Sequence, residues 1–415
     1  MAHHRAAVSK LKGVVRSYDW GGMEFLSKLL SHPNTQGKPM AEYWLGGHDT
    51  DPSVVLTGEG EVKLNDYVAA DNQEILGKTI ARKFRRLPYL LKILDVRNML
   101  SIQVHPTKHE AEIEFARENK LHIPLNAPHR NYKDDNHKPE LAVALSNFWL
   151  LHGFKPADKL TATLESIPDL RQLLQIFNTT GYDQLYKTAM EMPQESVNQI
   201  LQPLLDRIIP LYSSGQLKKS EENFWAARAA LIFGEKGKKN KHRSIDRGIF
   251  SIYFFNLLQL RKGEGLFQDA GVPHAYLEGQ NVEIMANSDN VLRGGLTNKH
   301  VDVKELMKHI KFEETVPQII LPERINNCEE LYRTGAPDFK LSRFTLKRTD
   351  TCAFESASGE IVFVFDGGVS ISSERDQLSL SKGEAAFIIS HRRVSLKCLA
   401  DAELYRATVP VHSSE

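Results

Sequence analysis

The sequence predicts a mainly β protein with an α-helical insertion, built from jelly-roll or β-barrel domains, and three observations carry that reading. From Phe339 onward, short apolar runs alternate with turns, and no helical period intervenes. Between 155 and 249 apolar residues recur instead at three- and four-residue spacing, the signature of packed helices. Apolar β texture returns at 250. The expected division is therefore a discontinuous N-terminal and central region, 1–154 plus 250–325, a helical insertion, 155–249, and a C-terminal β domain, 326–415. A chain of 415 residues has room for such units at about 150 residues each.

Taken in order, Asp19-Trp20-Gly21-Gly22 and Gly46-Gly47 interrupt short apolar runs, and Thr57-Gly58-Glu59-Gly60 reads as a turn. Short helices fit 22–30 and 72–83, the second opening on the polar Asn72, Gln73 and Glu74. Residues 90–96, bounded by Pro88, suit a buried strand. Residues 100–105, closed by Pro106, suit another, whose alternation puts Ser101, Gln103 and His105 on one face. A surface helix fits 109–120. Five helices follow, at 159–164, 170–177, 182–190, 196–212 and 221–233. In the fourth, Ile200, Leu201, Leu204, Leu205, Ile208 and Ile209 form one apolar face. The basic run 236–243 reads as a solvated loop. Residues 250–260 read as β, followed by the turn Arg261-Lys262-Gly263-Glu264-Gly265. C-terminal strands fit 341–346, 361–365, 369–372, 378–380, 384–389 and 394–399, with Asp366-Gly367-Gly368 as a hairpin turn.

Composition narrows the function classes. Lys plus Arg number 53 against 52 Asp plus Glu, a net charge of +1 that argues against a nucleic-acid-binding protein. No apolar run approaches the roughly 20 residues of a membrane span, and Met1-Ala2-His3-His4-Arg5 lacks the apolar stretch of a secretory signal. A cytoplasmic location with no membrane partner is expected. Cys328, Cys352 and Cys398 are too few and too scattered to indicate a disulfide framework or a cysteine zinc site. Phosphate-loop, HExxH, GxSxG and dinucleotide-binding fingerprints are missing.

Four constellations carry candidate chemistry. Gln103-x-His105 projects an amide and an imidazole from one strand face, a ligand pair or merely a solvated strand end. Asn136-His137-Lys138-Pro139-Glu140 packs ionisable groups just before an apolar run, so a polar turn is the competing reading. Gly271-Val272-Pro273-His274-Ala275-Tyr276 places a histidine after a tight bend, where a ligand or a plain surface turn would both fit. The segment from Glu283 through Ser288-Asp289-Asn290 to Arg293-Gly294-Gly295 and Lys299 could bind an anionic, polyhydroxylated ligand or be a solvated loop.

These segments, in this order and wording, resemble the type I mannose-6-phosphate isomerases. The likeness runs through Tyr18-Asp19-Trp20-Gly21, Ala41-Glu42-Tyr43-Trp44-Leu45-Gly46, Gln103-Val104-His105-Pro106, His137-Lys138-Pro139-Glu140, Pro273-His274-Ala275-Tyr276 and Ser288-Asp289-Asn290-Val291-Leu292-Arg293. The resemblance implies cupin-type barrels with a helical insertion and one divalent metal ion, zinc, held by Gln103, His105, Glu140 and His274. It implies reversible aldose–ketose isomerisation of mannose 6-phosphate and fructose 6-phosphate through a cis-enediol. Catalytic groups would come from Arg293, Glu283, Lys138, His137 and Asp289, and Arg293, Lys138 and Lys299 would serve the sugar phosphate. Glu283 ranks first for proton transfer, as a carboxylate outside the ligand set, while Asp289 could instead orient Arg293 or Lys138. A small phosphosugar substrate and a monomer are expected. An isomerase of another phosphosugar, or a silent cupin that binds sugar or metal, are the alternatives. Two departures from the family pattern stand out: Asp49 follows His48 where proline is common, and Arg293-Gly294-Gly295 has glycine where alanine is frequent. The segment 383–391 lacks a partner histidine pair and is read as metal-free, with His391 at the surface.

Overall fold

Antiparallel pairing around a single long strand positions everything that follows. In the computed structural model, which describes residues 5–234, 244–374 and 376–411, His274–Ala286 pairs with Tyr89–Val96, Gln103–Val104, Glu140–Ala144 and Phe148–Phe154. Its sheet extends through Glu42–Gly46 to Val14–Arg16 on one side and through Gly265–Gln268 to Ile319–Ile320 on the other. Tyr89–Val96 is buried along its whole length, which is why its sequence shows an unbroken apolar run rather than alternation.

The second sheet is built from the C-terminal chain, ordered Glu329–Tyr332, Lys340–Leu346, Arg393–Thr408, Glu360–Ser373, Ala385–Ile388. Val8–Lys12 then pairs with Ala385–Ile388, and Val54–Thr57 and Gly60–Lys63 continue the same sheet. Strands from the two ends of the chain are thus hydrogen-bonded to each other. One apolar cluster joins both sheets, with Tyr43, Leu91, Leu141 and Ile284 packing among Tyr332, Phe339, Phe363 and Tyr405.

Between the strands lies the helical block, Ala157–Ser166, Arg171–Glu191, Gln194–Ser213 and Glu222–Phe233. Val197, Ile200, Leu201, Leu204, Leu205 and Ile208 are buried on one face of Gln194–Ser213, as the periodicity predicts. The helices expected at 170–177 and 182–190 are both present within Arg171–Glu191 and meet at a kink at Gly181, whose φ is 75°. Their cluster includes Ile102, Val104, Leu292 and Leu296, so the insertion braces the strands that carry the site.

Several local expectations are corrected. The helix read at 72–83 is two, Asn72–Leu76 and Lys78–Phe84, separated by Gly77 at φ 83°. The strand read at 100–105 shrinks to Gln103–Val104. The β run read at 250–260 opens as a helix, Gly248–Phe254, and becomes a strand only at Phe255–Leu260. Every residue of that helix is buried, so apolar character fills nearly all positions and erases the helical period. Asp366-Gly367-Gly368 is not a hairpin turn: it is an irregular stretch inside Glu360–Ser373, where the register against Arg393–Thr408 shifts. Gly367 is required there, because φ is 76° and a Cβ would lie 2.0 Å from the Asp401 carbonyl oxygen. Cys328 and Cys352 form a disulfide, against the expectation of none, while Cys398 is free and buried. The basic run 236–243 lies outside the described residues, and His391 is exposed as expected. Among the described residues, no helix is long and apolar enough to cross a membrane.

Candidate metal centre and active site

Backbone pairing brings the distant motifs together. His274 opens its long strand directly opposite Gln103, and Gln103 is in turn opposite Arg293. Glu140 opens Glu140–Ala144, whose register sets it beside Gln268 and Met285. His105 follows Gln103–Val104, and its carbonyl accepts from the Gly271 N–H at 3.0 Å, which ties the two histidine segments together. Gly295 lets the Arg293 strand turn away tightly: its φ is 116° and a Cβ would stand 2.5 Å from the Gly248 Cα.

His105, Glu140 and His274 converge with their ligand atoms within 4.8 Å of one another, and all three are buried. The two imidazoles are oriented by carbonyl oxygens. His105 Nδ1 lies 2.8 Å from the Asn290 oxygen, and His274 Nδ1 lies 3.0 Å from the Val272 oxygen. Donation to these carbonyls places the proton of each neutral ring on Nδ1, leaving both Nε2 atoms as bare acceptors. Those acceptors face Glu140, His105 Nε2 at 3.4 Å from Oε1 and His274 Nε2 at 3.4 Å from Oε2. His105 Nε2 is buried with no hydrogen-bond partner. Three converging acceptors in a buried site fit a cation, and two imidazoles with a carboxylate are a donor set zinc favours.

The electrostatics agree. Burial depresses the His105 pKa to about 4, so the ring is neutral and able to coordinate near pH 7. Burial opposes ionisation of Glu140, but its neighbours, with the Lys138 ammonium as the lasting cation among them, hold the carboxyl well below its usual range. Lys138, itself buried, has Nζ 3.4 Å from Glu140 Oε1.

Beside this cluster runs a buried polar chain. Gln268 Nε2 donates to the Tyr276 hydroxyl at 3.0 Å, and the hydroxyl donates to Glu283 Oε2 at 2.7 Å. Lys92 Nζ meets Glu283 Oε1 at 3.3 Å. Glu283 is therefore engaged at both oxygens, rather than standing free as the sequence suggested, because a carboxylate this deeply buried needs partners. Burial first and Glu140 second raise its pKa, with Lys92 pulling the other way. Burial disfavours the Lys92 ammonium, yet Glu42, Glu283 and Glu140 together raise its pKa.

The remaining candidates occupy distinct places. Asp289 meets the buried His48, Oδ2 to Nε2 at 3.1 Å, rather than orienting Arg293 or Lys138. Burial opposes its charge, but His48 and Lys138 hold its pKa near 2. His137 turns its Nε2 to Asp338 Oδ2 at 2.8 Å. Arg293 is half-buried and has no carboxylate partner among the described residues, and burial lowers its pKa. Lys299 is largely solvent-facing, and partial desolvation followed by repulsion from Arg293 lowers its pKa. Asp49, which follows His48, is exposed and faces Arg86, Oδ2 to Nη1 at 3.1 Å, while Asn65 Nδ2 and Asn287 Nδ2 donate to the His48 and Gly47 carbonyls at 3.1 and 2.9 Å.

Sequence reasoning missed Lys92, Glu42 and Asp338. For Lys92 a signal existed, since a lysine at the centre of an otherwise apolar buried strand is rare without a partner. Glu42, which accepts from Trp44 Nε1, and Asp338 carried no such mark.

Comparison with known proteins matches this geometry to a family. Residues 8–157 fit the phosphomannose isomerase type I catalytic domain. Mannose-6-phosphate isomerase of Escherichia coli (strain K12) is 34% identical over 390 residues, covering 92% of this chain and 95% of that protein. The Macaca fascicularis enzyme of the same name is 33% identical over 428 residues, covering 96% and 97%. The solved mannose 6-phosphate isomerase from Salmonella typhimurium bound to substrate and a zinc atom superposes with a TM-score of 0.87 at 31% identity, covering 98% of this chain and 100% of that one. A zinc-bound holo mannose 6-phosphate isomerase superposes equally well, with a TM-score of 0.87. Identity above 30% sustained over nearly the whole length, on a shared cupin architecture, makes this chain a member of the type I phosphomannose isomerase family.

Proposed function

We propose that the protein is a zinc-dependent aldose–ketose isomerase that interconverts mannose 6-phosphate and fructose 6-phosphate through a cis-enediol. The observation that carries the reading is the convergence of His105 Nε2, His274 Nε2 and a Glu140 carboxylate, all acceptors, at one buried point. Gln103, in register with His274, is the fourth ligand. Bound there, zinc supplies Lewis-acid polarisation of a sugar oxygen without redox chemistry.

The protein's own groups supply the rest. Arg293, on the strand opposite Gln103 and without a carboxylate partner among the described residues, offers positive charge to the oxygen that becomes anionic as the enediol forms. Lys138 adds a second cation beside Glu140. Glu283 carries the proton between C1 and C2, supported by its burial and upward-shifted pKa, which keep its protonated and ionised forms closer in energy. His137 and Asp289 are the other acid–base groups, with His137 serving proton movement at the sugar oxygens. Lys299, together with Arg293 and Lys138, serves the sugar phosphate.

We read the chain as 1–154 plus 250–325 for the catalytic region, 155–249 for the insertion and 326–415 for the C-terminal cupin-like unit, the last completed by the N-terminal strands that join its sheet. A cytoplasmic monomer is the assembly we infer. The test is a coupled mannose 6-phosphate to fructose 6-phosphate assay before chelation, after it and after zinc is restored. Activity lost and regained is the expected result. An inert, folded, metal-loaded protein would sink the assignment, and turnover of a different aldose phosphate in a substrate panel would redirect it.

A further inference from the structure

The segment that carries Lys138 and Glu140 is tied down residue by residue. Asp134 Oδ1 accepts from Ser288 Oγ at 2.8 Å, and its Oδ2 from the Asp289 N–H at 2.7 Å. Asn136 Nδ2 donates to the Asn287 carbonyl at 3.2 Å, while its own carbonyl accepts from Asn290 Nδ2 at 2.9 Å. Lys138 faces Glu140. All of these contacts lie around the sheet that holds the metal cluster. His137 alone reaches elsewhere: its partner, Asp338, follows Glu329–Tyr332 and precedes Lys340–Leu346 in the other sheet, 201 residues away in sequence.

Asp338 is only 2% exposed, and among the described residues His137 is its sole side-chain partner. Neighbouring Ala336 and Phe339 pack in the cluster that also holds Leu141, so the loop is anchored against the metal-bearing strand. A buried carboxylate held rigidly against one imidazole nitrogen does two things. It fixes the ring's orientation, and, accepting from Nε2–H, it assigns the proton to Nε2 and leaves Nδ1 as a base. Asp338 is the charged group that meets this ring, since Lys138, next in the chain, turns to Glu140 and Asp289 is engaged by His48.

We propose that Asp338, supplied by the C-terminal sheet, is a positioning residue that orients the His137 imidazole and holds it in the Nε2–H form for acid–base work at the sugar. The C-terminal unit then contributes to catalysis through one carboxylate, while contributing no metal ligand. This inference rests on the isomerase reading given above.

The test uses the full-length zinc-loaded protein and Asp338→Asn, which preserves size while removing the charge that fixes the ring's protonation. Expected is a fall in kcat of about 10- to 100-fold with KM and zinc content little changed. Combined with His137→Gln, the substitution should add almost nothing further, because both act through one group. Ring nitrogen NMR of His137 provides a readout independent of turnover: the neutral ring should move from the Nε2–H toward the Nδ1–H tautomer in Asp338→Asn, because the carboxylate that accepts from Nε2–H is gone. An unchanged His137 tautomer and kcat in the variant would overturn the proposal, as would multiplicative effects in the double variant. A drop in thermal midpoint with kcat and the His137 tautomer intact would make Asp338 purely structural, and this too would overturn it. Wild-type protein inactive toward mannose 6-phosphate, yet with a His137 tautomer that responds to Asp338→Asn, would instead remove the isomerase reading and leave the coupling standing.

Discussion

His105 and His274 stand with ring centroids 5.1 Å apart, each presenting Nε2 to a different oxygen of the same carboxylate, Glu140. Two bare nitrogens and a carboxylate, all acceptors in a site closed to solvent, have no use for one another. A cation between them satisfies every lone pair.

Removing one ligand should therefore remove the metal and leave the fold. His274→Ala and Gln103→Ala are expected to lower zinc content measured by elemental analysis, with activity falling at least about 100-fold. Circular dichroism should be nearly unchanged, because both residues sit at strand ends rather than in an apolar cluster. A metal-depleted His274→Ala protein with full activity would disprove the ligand set.

Arg293 is expected to act on the chemical step. No carboxylate among the described residues neutralises its guanidinium, so its charge is available to an oxygen that becomes anionic. Arg293→Met should lower kcat by about 100-fold or more with a smaller effect on KM. An effect confined to KM would assign the residue to the phosphate group instead.

Lys92 is the buried cation that allows several carboxylates to share one barrel interior. Replacing it with methionine strips Glu283 of its buried ion-pair partner and leaves Lys138 as the remaining buried cation beside these carboxylates, a loss of about 3–5 kcal/mol in urea unfolding. Adding Glu283→Gln should recover part of that loss. If Lys92→Met alone proves neutral, the carboxylates are not charged together.

A pH effect is expected at Glu305 as well. Glu305 accepts from the Tyr132 hydroxyl and from Lys308, both at 2.8 Å. Burial alone would raise its pKa, but His309, Lys308 and Tyr132 pull it down to about 2, against an ordinary value of 4.5. A depressed carboxylate stabilises the fold above its unfolded pKa and loses that contribution as pH falls through the folded value. The stability advantage of wild type over Glu305→Gln should thus be constant above about pH 4.5 and shrink between about 4.5 and 2. An advantage equal at pH 5 and pH 3 in urea titrations would contradict this.

The chemistry of the site and the class of the fold were legible along the chain. The motifs around Gln103, His105, Glu140, His274 and Arg293 were each ambiguous when read locally and gained meaning from the family whose wording and order they resemble, whereas the helical block was legible because its apolar faces keep a period. Which groups are partners could not be read, because partnership depends on strand register and on two sheets closing on each other. Glu283 is committed to Tyr276 and Lys92, His48 takes Asp289, and His137 reaches Asp338 for that reason. The run at 250–260 misled for a related one: full burial makes nearly every position apolar, so periodicity vanishes and packing alone settles helix or strand. Burial also sets the charges: Glu283 is pushed up by its own burial and by Glu140, distant in sequence, while Glu140 is held down with help from Lys138, only two residues before it.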